Sequence, residues 1–326
     1  MAELRYNPLL DDYTMVAGSR DKRPNMPVDY CPFCPGSGKV PDDYDVYCYH
    51  NDFPILSTNP PEQDDVAGGP YHTKESYGKC DVILYSPDHE GKIWELSDEH
   101  LQKLVELWIN RWIEISNDEK IKYVFPFENR GAEVGTTMPH PHGQIYGYPF
   151  IPKQIDIEFK NAQSHYNENK MNLYDEILAE ELRFEKRIVY ENNSFTAFLP
   201  FFGQYPYGVY IFNKCNISCF KEFDEMLKSD FADMLKTIIG AYDALFDRMF
   251  PYMMGIFNAP INSEEYKNPE EFFRFHVKFF PPLRGANSIK WNASSETAAG
   301  AFGNPRVVEE TAIELREAVK KFNETH

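Results

Sequence analysis

Two histidines separated by one proline, His140-Pro141-His142, close a stretch of small residues, Gly131-Ala132-Glu133-Val134-Gly135-Thr136-Thr137. Neutral imidazole is a nucleophile near pH 7, and glycine-rich backbone offers N–H groups to an anion. The combination suits chemistry at phosphorus. Pro141 restricts φ and donates no hydrogen bond, which fits a strand start or an edge. On a strand, the i, i+2 spacing would put both imidazoles on one face with Gln144 beyond them. Gln144 could then donate to a phosphate oxygen as charge develops. The same two histidines could equally form half of a metal site, or simply be satisfied polar side chains. Flanking them, Ile121–Phe125 reads as a buried strand and the alternation from Gln144 to Tyr148 as another.

A second group is Cys31-Pro32-Phe33-Cys34. Two thiolates at this spacing supply half of a tetrahedral zinc shell, with the other ligands coming from elsewhere. His89 and His140 are the candidates. The remaining cysteines, Cys48, Cys80, Cys215 and Cys219, read as ordinary thiols, because six in 326 residues make no disulfide framework. A third group is basic: Arg20, Lys22 and Arg23. In a chain of net charge −18, three cations in four positions point to phosphate, with a solvated loop as the alternative. Asn51-Asp52-Phe53 follows a Tyr/Val-rich strand and reads as an Asx turn.

The acidic excess argues against nucleic acid or an anionic membrane as partner, since both require a basic surface. No apolar run approaches a membrane span, and the N-terminus lacks a signal-peptide pattern, so a cytoplasmic protein is expected. Ser97, followed by Asp98 and Glu99, starts a helix whose inner stripe is Leu101, Leu104, Val105, Trp108, Trp112 and Ile115. Residues 57–78 read as a long loop and 158–186 as a polar helical stretch. Beyond it the order of the first half recurs. Val189–Phe195 echoes Val46–Phe53, and Tyr207–Phe212 echoes 80–85. Tyr252–Asn258 parallels Tyr123–Asn129, and Phe275–Phe280 parallels the strand with the paired histidines. Such an internal repeat predicts two similar α+β halves. They are expected at 1–160 and 188–326, joined by a connector at 161–187. A last helix should start at Pro305.

The strings Glu128-Asn129-Arg130-Gly131, Gly135-Thr136-Thr137 and His140-Pro141-His142-Gly143-Gln144 resemble the active-site signature of the galactose-1-phosphate uridylyltransferases, in the histidine-triad superfamily. The likeness spans nearly the whole chain, densely in the first half and thinly in the second. It implies two tandem histidine-triad-like halves, each a mainly antiparallel sheet with packed helices. It also implies uridylyl exchange between UDP-glucose and a sugar-1-phosphate, expected to be galactose-1-phosphate, in two displacements through a uridylyl-histidine. His142 would be the nucleophile and Gln144 its partner at the phosphate. Around the nucleotide the resemblance puts Arg20, Arg23, Asn51, Asp52, Asn129, Gly135, Thr136 and Thr137. Lys290 and Glu296 would sit on an arm, residues 281–296, that in the family often reaches the neighbouring subunit's site; a homodimer is expected. One structural zinc would be held by Cys31, Cys34, His89 and His140. Some members bind a second metal through one Glu and three His. Here Glu158 and His276 match, but Phe257 and Lys278 occupy the other positions, so that site is expected to be lost, with Lys278 pairing Glu158 instead. Thr136 replaces the commoner Cys, and Ser295 replaces a Tyr. The rival readings are a related enzyme using ADP-sugars or dinucleotide polyphosphates, and a zinc-stabilised nucleotide-binding module without turnover. The intact His142 and Gln144 speak against the module.

Overall fold

The computed structural model describes residues 2–22 and 30–325; Arg23 lies outside them. Strands β1 (Ala2–Asn7) and β2 (Asp12–Ala17) pair with β4 (Thr73–Glu75) in a small sheet, while β3 (Tyr47–His50) and β5 (Lys79–Leu84) enter a large one. Helix α1 (Asp98–Ser116) follows, then β6 (Tyr123–Arg130) and β7 (His142–Tyr148). Two helices, α2 (Lys153–Asn169) and α3 (Leu173–Phe184), lead to β8 (Ile188–Glu191), β9 (Phe195–Phe198) and β10 (Tyr210–Asn213). The chain continues through α4 (Glu225–Phe246), β11 (Tyr252–Phe257) and β12 (His276–Phe280) to a hairpin, β13 (Leu283–Gly285) and β14 (Ser288–Ile289). Helices α5 (Ser294–Ala299) and α6 (Val308–Thr325) end it.

The repeated order is visible in the large sheet, which runs β3-β5-β7-β6-β11-β12-β10-β9-β8. Its two halves mirror each other about the antiparallel β6–β11 pair, in which Tyr252 faces Arg130 and Gly255 faces Phe127. The halves thus share one continuous sheet. Their pairing stops beside Pro126, which has no N–H to extend the ladder. The polar stretch expected over 158–186 is two helices, and the first begins at Lys153, so the expected boundary at residue 160 falls inside it.

The two faces of the sheet follow from its registers. His142 lies opposite Leu84, and Gln144 lies between Val82 and Phe127, so these side chains share one face. Gly143, Tyr85, Glu128 and Tyr252 point to the other face, which α1 and α4 cover. Ser97 caps α1 by accepting from the His100 N–H, and Asp224 caps α4 through the Leu227 N–H. Gly147 is required under α1, because a Cβ there would lie 2.6 Å from the Ile115 Cγ2. On the first face, α2 and α3 cover the second half, with Phe159 and Tyr174 packed against Phe273. The Cys31–Cys34 knuckle covers part of the first half, packing Phe33, Tyr44 and Met138 against Tyr49, Val82 and Leu84.

Candidate active site and zinc centre

β6 is longer than the sequence pattern suggests, for Glu128, Asn129 and Arg130 are its last residues rather than the start of the loop. Gly131 at φ 100° and Gly135 at φ 80° then turn the chain, conformations that favour glycine. The turn is tied shut where the Thr136 hydroxyl donates to the Asn129 carbonyl at 2.8 Å. The Thr137 hydroxyl is buried without a hydrogen-bond partner.

β7 begins at His142, so His140 sits in the bend before it and not on the strand face. This corrects the expectation that both imidazoles share one strand face. Pro141, which cannot donate to a ladder, separates the two. The His140 Nε2 donates to the Ser86 carbonyl at 2.8 Å, which turns its Nδ1 toward Cys34. His142 does the opposite: its Nδ1 donates to the His140 carbonyl at 2.7 Å. A carbonyl can only accept, so this bond leaves the lone pair on Nε2, which is the form a nucleophile needs.

Gln144 follows on the same face. The Tyr146 hydroxyl donates to its Oε1 at 3.0 Å, which leaves the NH2 as the donor end of the amide. The sequence reading missed Tyr146, although its i, i+2 spacing from Gln144 was a usable signal.

At the knuckle, ligand atoms of Cys31, Cys34, His89 and His140 all lie within 4.8 Å of one another. The Cys34 Sγ is 3.3 Å from the His89 Nδ1 and 3.6 Å from the His140 Nδ1. Tetrahedral zinc, with bonds of about 2.3 Å to sulfur and about 2.0 Å to nitrogen, holds such donors roughly 3.5 Å apart, so the residues fit the metal. Burial, and then the neighbouring Cys31, push the Cys34 thiol up to about 11. Such a thiol ionises readily only beside a cation. Burial pulls His140 down to about 4, against the Ser86 hydrogen bond, and keeps it a neutral ligand. The Tyr44 hydroxyl, also missed in sequence, reaches the carbonyls of Phe33 and Ser86 at 2.6 and 3.0 Å and braces both ends of the cluster.

A cavity of about 520 Å³ adjoins these groups, lined among others by His89, Glu128, Asn129, Thr136, His140 and His142. Gln144, Arg20, Asn51, Asp52, Gly135, Thr137, Lys290 and Glu296 do not line it. Arg20 donates to the Phe53 carbonyl at 3.3 Å, which brings it to the Asn51–Phe53 turn. There the Asn51 Oδ1 accepts from the Phe53 N–H at 2.9 Å, so the Asx turn is formed, and Asp52 accepts from the Tyr49 hydroxyl at 2.6 Å. Lys290 and Glu296 meet each other at 3.6 Å, with Lys290 against the rings of Tyr205 and Phe302.

In the second half, Lys278 donates to Glu158 at 2.5 Å and Tyr174 donates to its other oxygen at 2.8 Å. Burial raises the Glu158 carboxyl, but Lys278 and His276 outweigh it and hold the group below the usual carboxylate range. The His276 Nδ1 donates to the Arg274 carbonyl at 2.8 Å, repeating the His142 arrangement. Its Nε2 is 3.2 Å from Glu158 but misses hydrogen-bond geometry, and Phe257 stacks on its ring at 4.8 Å.

Two family descriptions match the chain: galactose-1-phosphate uridyl transferase, N-terminal domain, over residues 1–152, and the C-terminal domain over 158–297. The galactose-1-phosphate uridylyltransferase of Thermotoga maritima is 42% identical over 97% of this chain and 98% of its own. That of Saccharomyces cerevisiae is 30% identical over 88% and 86%. A solved uridylyltransferase superposes with a TM-score of 0.90 at 28% identity, covering 98% of this chain and 99% of that one. An ADP-glucose phosphorylase from Arabidopsis thaliana shares the fold, with a TM-score of 0.74 at 22% identity over 97% and 99%. With its two histidine-bearing halves and both domain matches, this chain belongs to the galactose-1-phosphate uridylyltransferase family.

Proposed function

We propose that this chain exchanges a uridylyl group between UDP-glucose and galactose-1-phosphate through a covalent intermediate on His142. The observation that carries this reading is the 2.7 Å bond from the His142 Nδ1 to the His140 carbonyl, which leaves Nε2 as the nucleophile. The Nε2 lone pair forms a bond to the α-phosphorus, and the P–O bond to glucose-1-phosphate breaks with its electrons. The oxygen of the second sugar phosphate then attacks phosphorus, and the P–N bond returns its pair to Nε2. Gln144 donates to a non-bridging oxygen, and the turn carrying Gly135, Thr136 and Thr137 receives the phosphates. The Asn51–Asp52 turn takes the nucleoside end, and Arg20, which donates to the Phe53 carbonyl of that turn, meets the phosphates with Arg23. A zinc held by Cys31, Cys34, His89 and His140 would find all four positions filled, which suits a structural role. Lys278 serves Glu158 as its cation, so no second metal is needed there. Lys290 and Glu296 lie away from the His142 cavity, which favours a homodimer in which each arm serves the partner's site.

Intact-mass measurement after mixing with UDP-glucose tests the proposal. The wild type should gain one uridylyl group, and His142→Ala should lose both the adduct and the exchange. Continued exchange by His142→Ala would end the covalent reading. An adduct with ADP-glucose but not with UDP-glucose would favour the adenine-nucleotide alternative.

A further inference from the structure

The helix-covered face directly behind His142 holds a buried carboxylate that the reaction above does not use. Glu128 accepts from the Tyr85 hydroxyl at 3.1 Å and from the Tyr252 hydroxyl at 2.9 Å. Tyr85 belongs to the first half and Tyr252 to the second, so one carboxylate ties the halves together across β6. Tyr85 also grips the nucleophile's backbone. Its N–H donates to the Pro141 carbonyl at 3.3 Å, one residue before His142. Its hydroxyl occupies the space where a Cβ on residue 143 would be, 2.2 Å away, which is why that residue is Gly143. The backbone on both sides of His142 therefore rests on Tyr85, and Glu128 holds Tyr85 in place.

We infer that Glu128 is a positioning residue for the transfer reaction, acting through Tyr85 to hold the 141–143 backbone so that the His142 ring stays aligned with phosphorus. The inference rests on His142 being the nucleophile. The competing account is that Glu128 is only a polar pin between sheet and helices. Nearby charge is already matched, since Arg130 makes two 2.7 Å bonds to Asp243 and does not bond Glu128. An enzyme whose Tyr85 ring stays in place without its bond to Glu128 should bind nucleotide as before, but its His142 ring should reach the attacking geometry less often.

The experiment measures the rate of adduct formation on His142 at saturating UDP-glucose, together with KM, in Tyr85→Phe, Glu128→Gln and the double variant. Each single variant should slow adduct formation by roughly tenfold or more, with KM within about twofold. The double should be no slower than the slower single, because both residues act through one contact. Tyr85→Phe keeps the ring and the backbone bond, so it remains informative if Glu128→Gln folds poorly. Adduct rates equal to wild type, or losses that multiply in the double variant, would overturn the inference while leaving the His142 reading intact. A wild type that never forms the adduct would remove both.

Discussion

His140 and His142 each have one ring nitrogen committed to a carbonyl, and the two use opposite nitrogens. Nε2 is committed in His140, which turns Nδ1 toward Cys34; Nδ1 is committed in His142, which leaves the lone pair on Nε2, the atom the proposed attack on phosphorus uses. Gln144 is tuned in the same way by Tyr146. Gln144→Ala should lower turnover by roughly a hundredfold, the scale of losing one oxyanion donor. Tyr146→Phe should lower it less, through kcat with KM little changed, because the amide is kept but no longer oriented. Steady-state kinetics of both variants decide this, and a Tyr146→Phe enzyme with wild-type kcat would show that the hydroxyl does not matter. Glu128 carries a prediction of its own. Burial pushes it up to about 7, against the Arg130 charge and the hydrogen bonds from Tyr252 and Tyr85. A carboxyl whose folded value lies above its unfolded one contributes stability below about 4.5 that is lost as the pH rises through about 7. The wild type should therefore lose more thermal stability between pH 5 and pH 8 than Glu128→Gln does. Parallel melting curves across that interval would contradict the assignment.

The elements that matter most are the start of β7 and the knuckle it meets. β7 can begin only at His142 because Pro141 interrupts the ladder, and that break lets His140 turn away to the cysteines. The knuckle has a small apolar cluster of its own around Phe33, Val40, Tyr44 and Met138, too little to order a segment rich in turns. Metal binding should supply the rest. Elemental analysis should find one zinc per chain and no second stoichiometric metal. Stripping that zinc, or replacing Cys31 by Ser, should lower the melting temperature and the activity together. A protein purified gently without metal yet fully active would refute the zinc assignment.

For the whole molecule, the consequence of duplication is asymmetry. Both halves keep a histidine whose Nδ1 bonds the carbonyl two residues back, and the first of them, His142, lines a cavity together with Asn129 and Thr136. The second is closed over by α2 and α3, with Lys278, Tyr174 and Phe257 filling the space around His276 and Glu158. The arm carrying Lys290 and Glu296 is likewise separate from the His142 cavity of its own chain. If it serves a partner, mixing His142→Ala with Lys290→Ala chains should restore activity. A mixed dimer then holds one complete site, and about a quarter of all sites should recover after random reassortment. Mixtures as inactive as their components would place the arm in its own chain's site.

The sequence alone showed the repeat, the α1 stripe and the Cys31–Cys34 spacing, because each depends on order along the chain or on spacing within one helix or turn, while the family resemblance singled out His89 and His140 as the cysteines' partners. It also foresaw Lys278 opposite Glu158, since an ammonium and a carboxylate on neighbouring elements attract whatever the details. Other features depended on which distant groups share a small volume. The Ser86 and His140 carbonyls chose the tautomers, and no local pattern encodes where a carbonyl points. Tyr85, just past the end of β5, and Tyr252, at the start of β11, reach Glu128 from opposite sides of β6. The joining of two sheets into one, with the nucleophile on one face and its brace on the other, was decided only by packing. Strand parity is set within a strand, but which strands become neighbours is set by the burial of the whole core.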